Sequence, residues 1–165
     1  MATLDNALKL ATSLGMRDVY AATGVYSESI SLQEGVGLYG GYSYDFQERD
    51  VLLLETAIIG DPPTGDMVAT VSAINVGQEG ATKLTVLDGF TIFGASASNQ
   101  MGANSYGIYV RDSGDHLLIR GNRVFAGAGG PGTSGAPGQD GLSGLSGSAG
   151  IDAHDVGGGG APNCG

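Results

Sequence analysis

The spacing of apolar positions changes after about residue 17 of this 165-residue chain. Before that point the apolar residues recur at helical intervals and share one face of a helix: Leu4, Ala7, Leu8, Ala11 and Leu14. Thr3 is suited to the N-cap of this helix and Asp5 to its first turn, and Gly15 is suited to end it. Because a helix this short needs a surface to lie on, we expect it to cover an open end of the structure that follows.

From Asp18 onward the pattern consists of short β-rich runs separated by Gly, Asn, Asp and Pro. The predicted runs are Val19–Ala22, Ser29–Leu32, Val36–Tyr39, Val51–Ile59, Val68–Val76, Leu84–Ile92, Tyr106–Arg111, Leu117–Ile119 and Arg123–Ala126. Runs this short and this numerous predict an all-β sandwich, barrel or solenoid.

Internal similarity favours the solenoid. Residues 84–92 (LTVLDGFTI) are similar to residues 117–124 (LLIRGNRV), about 32 positions later, with one residue's difference in the turn. Both segments read as strand, tight corner and strand. We expect Gly89 and Asn122 to form these corners in a left-handed backbone conformation. Asp88 is expected to be a corner residue that hydrogen-bonds the next turn, with a role as a catalytic acid as the alternative.

Residues 18–32 (DVYAATGVYSESISL) and 35–42 (GVGLYGGY) resemble the opening of pectin-lyase-like proteins. The later LDGFTI at 87–92 and YGIYVR at 106–111 are similar to repeat signatures of the same group. The resemblance spans about residues 3 to 128 and implies a right-handed, single-stranded parallel β-helix. It implies no single activity, because the superfamily includes polysaccharide lyases, glycoside hydrolases, adhesins and tailspikes.

These observations predict three segments: a capping helix in residues 1–16, β-helix turns in 17–127 and a glycine-rich, largely irregular segment in 128–165. Such a combination resembles large surface proteins of environmental bacteria. No signal peptide precedes the helix. We therefore interpret the chain as the N-terminal part of a longer protein, secreted or displayed at the cell surface, whose signal peptide and anchor lie outside this sequence.

Glycine occupies every third position from Gly129 to Gly150, the period of a collagen triple helix. Only Pro131 and Pro137 fall between these glycines, so we favour a flexible or polyproline-like excursion over a triple helix. A calcium-binding nonapeptide array is a further alternative, for which Gly138–Gly141 supplies a single partial match.

The formal charge of −10, with only seven Lys and Arg residues, argues against nucleic acid and acidic membranes as partners. Cys164 is the sole cysteine, which excludes an intrachain disulfide. No segment approaches the ~20 apolar residues of a membrane span. We expect a monomer without a transmembrane segment.

Candidate chemistry is sparse. The run Arg111–His116 (RDSGDH) has the composition of a plain turn, and a metal or catalytic role for Asp112 and Asp115 is the alternative. Exposed tyrosines stack on sugar rings, which makes Tyr42 and Tyr44, beside a predicted loop, candidates for ligand binding. Tyr39 and Tyr109 are expected to line the core or to flank it. We assign no catalytic residue and no cofactor, with Ca²⁺ as the alternative.

Two functions follow. The first is a structural or binding β-helix module, adhesive or carbohydrate-binding, whose partner is a polysaccharide or a component of the cell envelope. The second is a polysaccharide lyase or glycoside hydrolase whose catalytic turns lie outside this chain. A trimeric, tailspike-like or collagen-like assembly is the third alternative.

Overall fold

A computed structural model describes residues 3–61 and 67–147, with one helix and eleven strands in these ranges. The helix is α1 (Leu4–Ser13). The strands are β1 (Asp18–Ala22), β2 (Gly24–Ser27), β3 (Ile30–Ser31), β4 (Gly37–Tyr42), β5 (Thr56–Ile59), β6 (Met67–Ile74), β7 (Thr85–Asp88), β8 (Thr91–Phe93), β9 (Asn104–Arg111), β10 (Leu117–Arg120) and β11 (Arg123–Phe125). The chain forms two compact units, Met1–Ser134 and Gly135–Gly165, and all these elements lie in the first.

The strands form three parallel sheets that the chain visits in rotation. The first sheet has the order β1-β4-β7-β10, the second β2-β5-β8-β11 and the third β3-β6-β9. Every pairing between these strands is parallel, and an isolated antiparallel bridge joins Tyr42 to Arg49. The predicted all-β class, with one short N-terminal helix, is confirmed.

Strand register aligns apolar side chains in columns that form the core. In the first sheet the inward column is Val19, Leu38, Leu87 and Ile119. In the second it is Tyr26, Ile58, Ile92 and Val124, and in the third it is Ile30, Val71 and Ile108. The middle members of each column are fully buried in one continuous core. Each column therefore continues the same apolar contact from one turn to the next.

The corner after the first sheet needs glycine. Gly89 has φ 84° and Gly121 has φ 63°, and each directly follows a strand of that sheet. Asn122 does not take the left-handed conformation predicted for it. Its side chain instead accepts a hydrogen bond from the Phe90 N–H and donates one to the Leu87 carbonyl, both at 2.9 Å.

The predicted alignment of residues 84–92 with residues 117–124 also contains an error. The paired strands β7 with β10 and β8 with β11 keep a constant offset of 32 residues, so the expected one-residue difference in the turn is wrong. The expectation for Asn122 failed for the same reason, because correct alignment places Gly121 at the position of Gly89.

The run Val51–Ile59 is not one strand. Its first part is a turn in which the Asp50 carboxylate accepts the N–H groups of Leu52 and Leu53, at 2.8 and 3.1 Å. Only Thr56–Ile59 pairs, as β5, and one of its two neighbours is β2, a strand absent from the predicted runs. Local hydrogen bonds from an aspartate side chain compete here with strand formation.

Helix α1 lies against β1 and β3 and buries Leu4, Leu8 and Ala11 in the core. Thr3 is the N-cap, as predicted, and its hydroxyl accepts the Asn6 N–H. The expected contribution of Leu14 is wrong, since Leu14 is the C-cap residue and is 61% exposed.

A carboxylate from the strand region holds the start of this helix. The two oxygens of Glu28 accept the N–H groups of Leu4 and Asp5, at 2.8 and 3.0 Å. These N–H groups have no partner within a helix, and the helix dipole favours a negative charge at this end. Glu28 therefore fixes α1 on the first turn of strands.

The glycine-rich region begins as an ordered continuation of the turns. The carbonyls of Phe125, Ala128 and Pro131 accept hydrogen bonds from Gly94, Ala97 and Gly102, so residues 125–131 run beside residues 94–102. Residues 132–147 form neither helix nor strand. The proposed collagen period extends to Gly150, and Gly150 and Cys164 lie outside the described residues.

We expect Glu28→Ala to lower the free energy of unfolding by about 1 to 2 kcal/mol, because two helical N–H groups lose a charged acceptor. Urea unfolding followed by circular dichroism measures the effect. Glu79→Ala, at an exposed position in a turn, is the matched control. Equal midpoints for the two variants would contradict the assigned role of Glu28.

Candidate functional site

One outward column of the first sheet carries large polar and aromatic side chains. Strand register aligns Tyr20 with Tyr39, Tyr39 with Asp88, and Asp88 with Arg120. Side chains alternate between the two faces of a strand, and the preceding column, which contains Leu38 and Leu87, is buried. The four polar and aromatic residues therefore project from the outer face of the sheet.

Four rings form what we call the aromatic surface: Tyr20, Tyr39, Tyr42 and Phe46. The Tyr20 ring centroid lies 5.8 Å from that of Tyr39 and 5.1 Å from that of Tyr42, and the latter pair meets edge to face. Phe46 lies 6.1 Å from Tyr42. Tyr20, Tyr42 and Phe46 line an open cleft of about 400 Å³. Tyr20 and Phe46 are each 50% exposed, so ring faces remain available to a ligand.

A tight loop after β4 brings Phe46 to this surface. The Ser43 hydroxyl donates to the Asp45 carboxylate at 2.6 Å and accepts the Glu48 N–H at 3.1 Å. The Ser43 N–H also bonds the Glu48 carbonyl, which closes the loop. Phe46 takes φ 57°, an unfavourable conformation for a bulky residue, and the closed loop holds it there.

The Arg49 side chain packs against the rings of Tyr39 and Tyr42. Its guanidinium carbon lies 5.8 Å from the Tyr39 ring centroid and 5.5 Å from that of Tyr42, within the range of cation–π attraction. Its Nε donates to the Gly40 carbonyl at 2.9 Å, and its Nη2 lies 3.1 Å from an Asp88 oxygen. One side chain thus joins the tyrosines to the acidic member of the column.

Asp88 bridges two arginines. Its Oδ1 accepts from Arg49 and its Oδ2 accepts from Arg120 Nε at 2.9 Å, while only 10% of the Asp88 side chain is exposed. Arg120 is its register partner on the next turn. The expectation that Asp88 is a corner residue bonded to the next turn is confirmed.

The hydroxyls of Tyr20 and Tyr39 remain protonated at neutral pH. The carboxylate of Asp18 is the main cause that raises the pKa of Tyr20, and burial is the main cause that raises the pKa of Tyr39. The Ser43 hydroxyl lowers the pKa of Asp45, so the carboxylate that closes the loop stays charged. The Tyr39 hydroxyl can therefore donate a hydrogen bond to a ligand, whereas the Tyr20 hydroxyl is hydrogen-bonded to the Asp18 carboxylate.

Of the predicted tyrosines, Tyr42 belongs to the aromatic surface. Tyr44 lies on the neighbouring loop and is 79% exposed. Tyr39 does not line the core, because its strand position points outward, and it forms part of the aromatic surface instead. Tyr109 does not line the core either, because it alternates along β9 with the inward residues Ile108 and Val110; it is partly buried, and its ring centroid lies 5.2 Å from that of Tyr106.

Asp112 and Asp115 lie at a different corner, between the third and first sheets. Asp112 takes φ 49° and follows Arg111, the register partner of Ile74, so it occupies the position of Asn75 (φ 55°) one turn earlier. Asp112 lies 3.3 Å from the Arg111 guanidinium, and Asp115 lies 2.8 Å from His116. These contacts are those of a stacked turn.

Ser113 completes this turn and links it to the previous one. Its hydroxyl donates to the Ala73 carbonyl at 3.2 Å and accepts the Val76 N–H at 3.4 Å. In residues 3–61 and 67–147 no group of three or more His, Cys, Asp or Glu side chains is arranged to hold a metal ion. The same part of the chain has no helix long and apolar enough to cross a membrane.

Tyr20, Phe46 and Arg49 were not predicted as site residues. The signal for Tyr20 was present, since Val19-Tyr20 and Leu38-Tyr39 are the same apolar–tyrosine pair and occupy one register. Nothing in the local pattern indicated Phe46 or Arg49, whose positions depend on the loop after β4 and on contacts across turns.

Comparisons with protein-family models, with curated proteins and with solved structures found no match for this chain.

We expect Asp18→Asn to move the ionisation of Tyr20 to lower pH, because the main charge that raises its pKa is removed. An ultraviolet titration of tyrosinate formation measures the shift, which should shrink in a Tyr20→Phe background. Asp115→Asn is the control for removal of an acidic charge at another corner. An equal shift in both variants would contradict the proximity of Asp18 to Tyr20.

Proposed function

We propose that the three parallel sheets are the sides of a right-handed, single-stranded parallel β-helix whose first turn is capped by α1. The chain contributes one strand to each of the three sheets in turn, which is the topology of such a solenoid. We infer the right-handed sense because parallel crossover connections are right-handed in nearly all proteins. The inward columns supply the continuous core that such a stack needs.

We propose further that this chain is a structural and binding module that recognises carbohydrate through the aromatic surface. The observation that carries the proposal is a set of part-exposed rings around one open cleft. Arg49 and the paired strands of the first sheet hold these rings in place. Aromatic faces pack on the apolar faces of sugar rings, while tyrosine hydroxyls and a guanidinium supply hydrogen bonds at the edges.

Rigid placement favours binding. Tyr20 and Tyr39 project from paired strands. Arg49 donates hydrogen bonds to the Gly40 carbonyl and to the Asp88 carboxylate, and its guanidinium also packs on the tyrosine rings. A ligand therefore meets side chains whose ordering has been completed during folding, which reduces the entropic cost of binding. The Phe46 loop, closed by Ser43 and Asp45, provides one wall of the same cleft.

The Asp88 carboxylate, which Arg49 joins to the rings, is poorly suited to catalysis. General acid or base chemistry on a glycosidic bond requires a carboxyl group that can exchange a proton with the substrate. Both oxygens of Asp88 are engaged by arginines and its side chain is nearly buried. This environment favours a structural role for Asp88 over a catalytic one.

The partner we propose is a polysaccharide or another carbohydrate of the cell envelope, met by a secreted or surface-displayed protein. This location rests on the resemblance to pectin-lyase-like β-helix proteins. The formal charge of −10 agrees with a partner other than nucleic acid. The proposed contacts require no cofactor, so chelation with EDTA should leave binding unchanged.

We expect the chain to bind members of a glycan array and to lose about tenfold in affinity with either Tyr20→Ala or Tyr42→Ala. One stacked ring contributes on the order of 1 kcal/mol beyond its buried area, and about 1.4 kcal/mol corresponds to tenfold. Titration calorimetry with the best array ligand measures the loss. Phe93→Ala is the matched control, because Phe93 is an exposed ring on the second sheet.

The same ligand should remain intact during incubation with the protein. Release of reducing or unsaturated ends would support the alternative enzyme function. Retained affinity in both tyrosine variants would remove the aromatic surface from the proposal, and Tyr44→Ala and Asp112→Asn would then test the other predicted residues.

A further inference from the structure

The charged groups around the aromatic surface differ in whether they already have a partner. Arg49 and Arg120 both contact Asp88, at 3.1 and 2.9 Å, so each guanidinium is engaged within the molecule. Asp18 and Asp45 are exposed, and in residues 3–61 and 67–147 neither carboxylate belongs to a salt bridge. These carboxylates are therefore available to a charged ligand.

The Asp18 carboxylate lies directly beside the rings. It is hydrogen-bonded to the Tyr20 hydroxyl, and it shares with the Tyr39 ring the space left by the missing side chain of Gly37. A Cβ atom at Gly37 would lie 2.9 Å from Asp18 Oδ1 and 2.5 Å from Tyr39 Cε2. Arg17 also lies near Tyr20, but it lowers the pKa of that hydroxyl less than Asp18 raises it. The carboxylate therefore dominates the charge at this side of the cleft.

The loop side of the same cleft is also acidic. Phe46 lines the cleft and follows Asp45, and residues 42–48 (YSYDFQE) contain two acidic residues and no basic one. The Ser43 hydroxyl lowers the pKa of Asp45, so its carboxylate stays charged at neutral pH. Carboxylates thus accompany the rings both on the first sheet and in the loop after β4.

Aromatic rings with nearby carboxylates suit a positively charged ligand group. The face of an aromatic ring attracts a cation, and groups of rings bind ammonium ions in this way. Within this molecule the Arg49 guanidinium lies 5.5 Å from the Tyr42 ring centroid. Three rings, those of Tyr20, Tyr42 and Phe46, line the open cleft of about 400 Å³. An ammonium group in the cleft would meet these rings and an acidic partner together.

We propose that the carbohydrate bound by the aromatic surface is an amino sugar with a free, protonated amine, whose ammonium group lies between the rings and the Asp18 carboxylate. This inference rests on the proposed carbohydrate-binding function and specifies its substrate class. The apolar face of the sugar packs on a ring, and the ammonium group adds cation–π and ionic attraction. The net charge of −10 attracts a polymer of such sugars at longer range. A uronic acid polymer, by contrast, would be repelled by Asp18 and Asp45.

A matched pair of ligands tests the proposal on the unchanged protein. One ligand is a glucosamine oligosaccharide, and the other is its fully N-acetylated form of the same length, which has no charge. We expect titration calorimetry, at a pH that keeps the amine protonated, to show about tenfold tighter binding of the amine form. Added salt should weaken binding of the amine form only. A lysine oligopeptide with the same number of charges should bind more weakly than the amine form, because it has no sugar ring.

A charge-removing variant tests the role of Asp18. Asp18→Asn should weaken binding of the amine form about fivefold and leave the N-acetylated form unaffected, because the amide still accepts the Tyr20 hydroxyl but carries no charge. Asp61→Asn is the matched control. Asp61 is also an exposed aspartate, but it lies at the corner between the second and third sheets, and its variant should bind both ligands as the unchanged protein does. Circular dichroism establishes that each variant is folded.

The possible failures of this inference and of the proposed function can be told apart. Equal or tighter binding of the N-acetylated form would overturn the amino-sugar proposal and leave carbohydrate binding in place. Binding of other glycans but neither of these two would have the same meaning, whereas binding of no glycan at all would remove the proposed function itself. A lysine peptide that binds as tightly as the amine form, or equal effects of Asp18→Asn and Asp61→Asn, would also overturn the amino-sugar proposal.

Discussion

In-register stacking of parallel strands is the constraint on which the rest of this structure depends. Each backbone hydrogen-bond ladder sets the spacing between turns, and the register places an aliphatic side chain on the same inward position of successive strands. Leu38 and Leu87 are adjacent in one such column, and Ile58 and Ile92 in another, all without exposed surface. A shift by one residue would turn each column outward, so the apolar pattern and the register specify each other.

The same register that builds the core also builds the candidate site. Residues one position beyond the buried column of the first sheet point outward, and they place Tyr20, Tyr39, Asp88 and Arg120 in one line. Asp88 links the turns through its two arginines, and Arg49 transfers that link to the rings of Tyr39 and Tyr42. The aromatic surface is consequently held by the strands beneath it, while loop 43–48 contributes the exposed ring of Phe46.

Much of the fold could be predicted because its signals are local. The helix at residues 4–13, the alternation of short strands and the corner at Gly89 each follow from neighbouring residues. The errors arose where a distant contact decides the outcome. Asn122 bonds the backbone of the previous turn, and the turn at Asp50 interrupts an apolar run that otherwise resembles a strand. Tyr42 could be selected as a candidate because it borders a loop, whereas Arg49 contacts the rings and Asp88 only when separate turns are stacked.

Disulfide formation between engineered cysteines measures the register directly. In a Cys164→Ser background, Ser27→Cys with Ile59→Cys joins register partners on adjacent parallel strands, whose Cα atoms are about 4.8 Å apart. This separation is within the range of a disulfide, whereas Ser27→Cys with Phe93→Cys spans two strand spacings, about 9 to 10 Å, and exceeds it. We expect rapid oxidation of the first pair and none of the second in the folded protein. Oxidation of the second pair, or a lack of oxidation of the first pair, would contradict the register of β2, β5 and β8 in the second sheet.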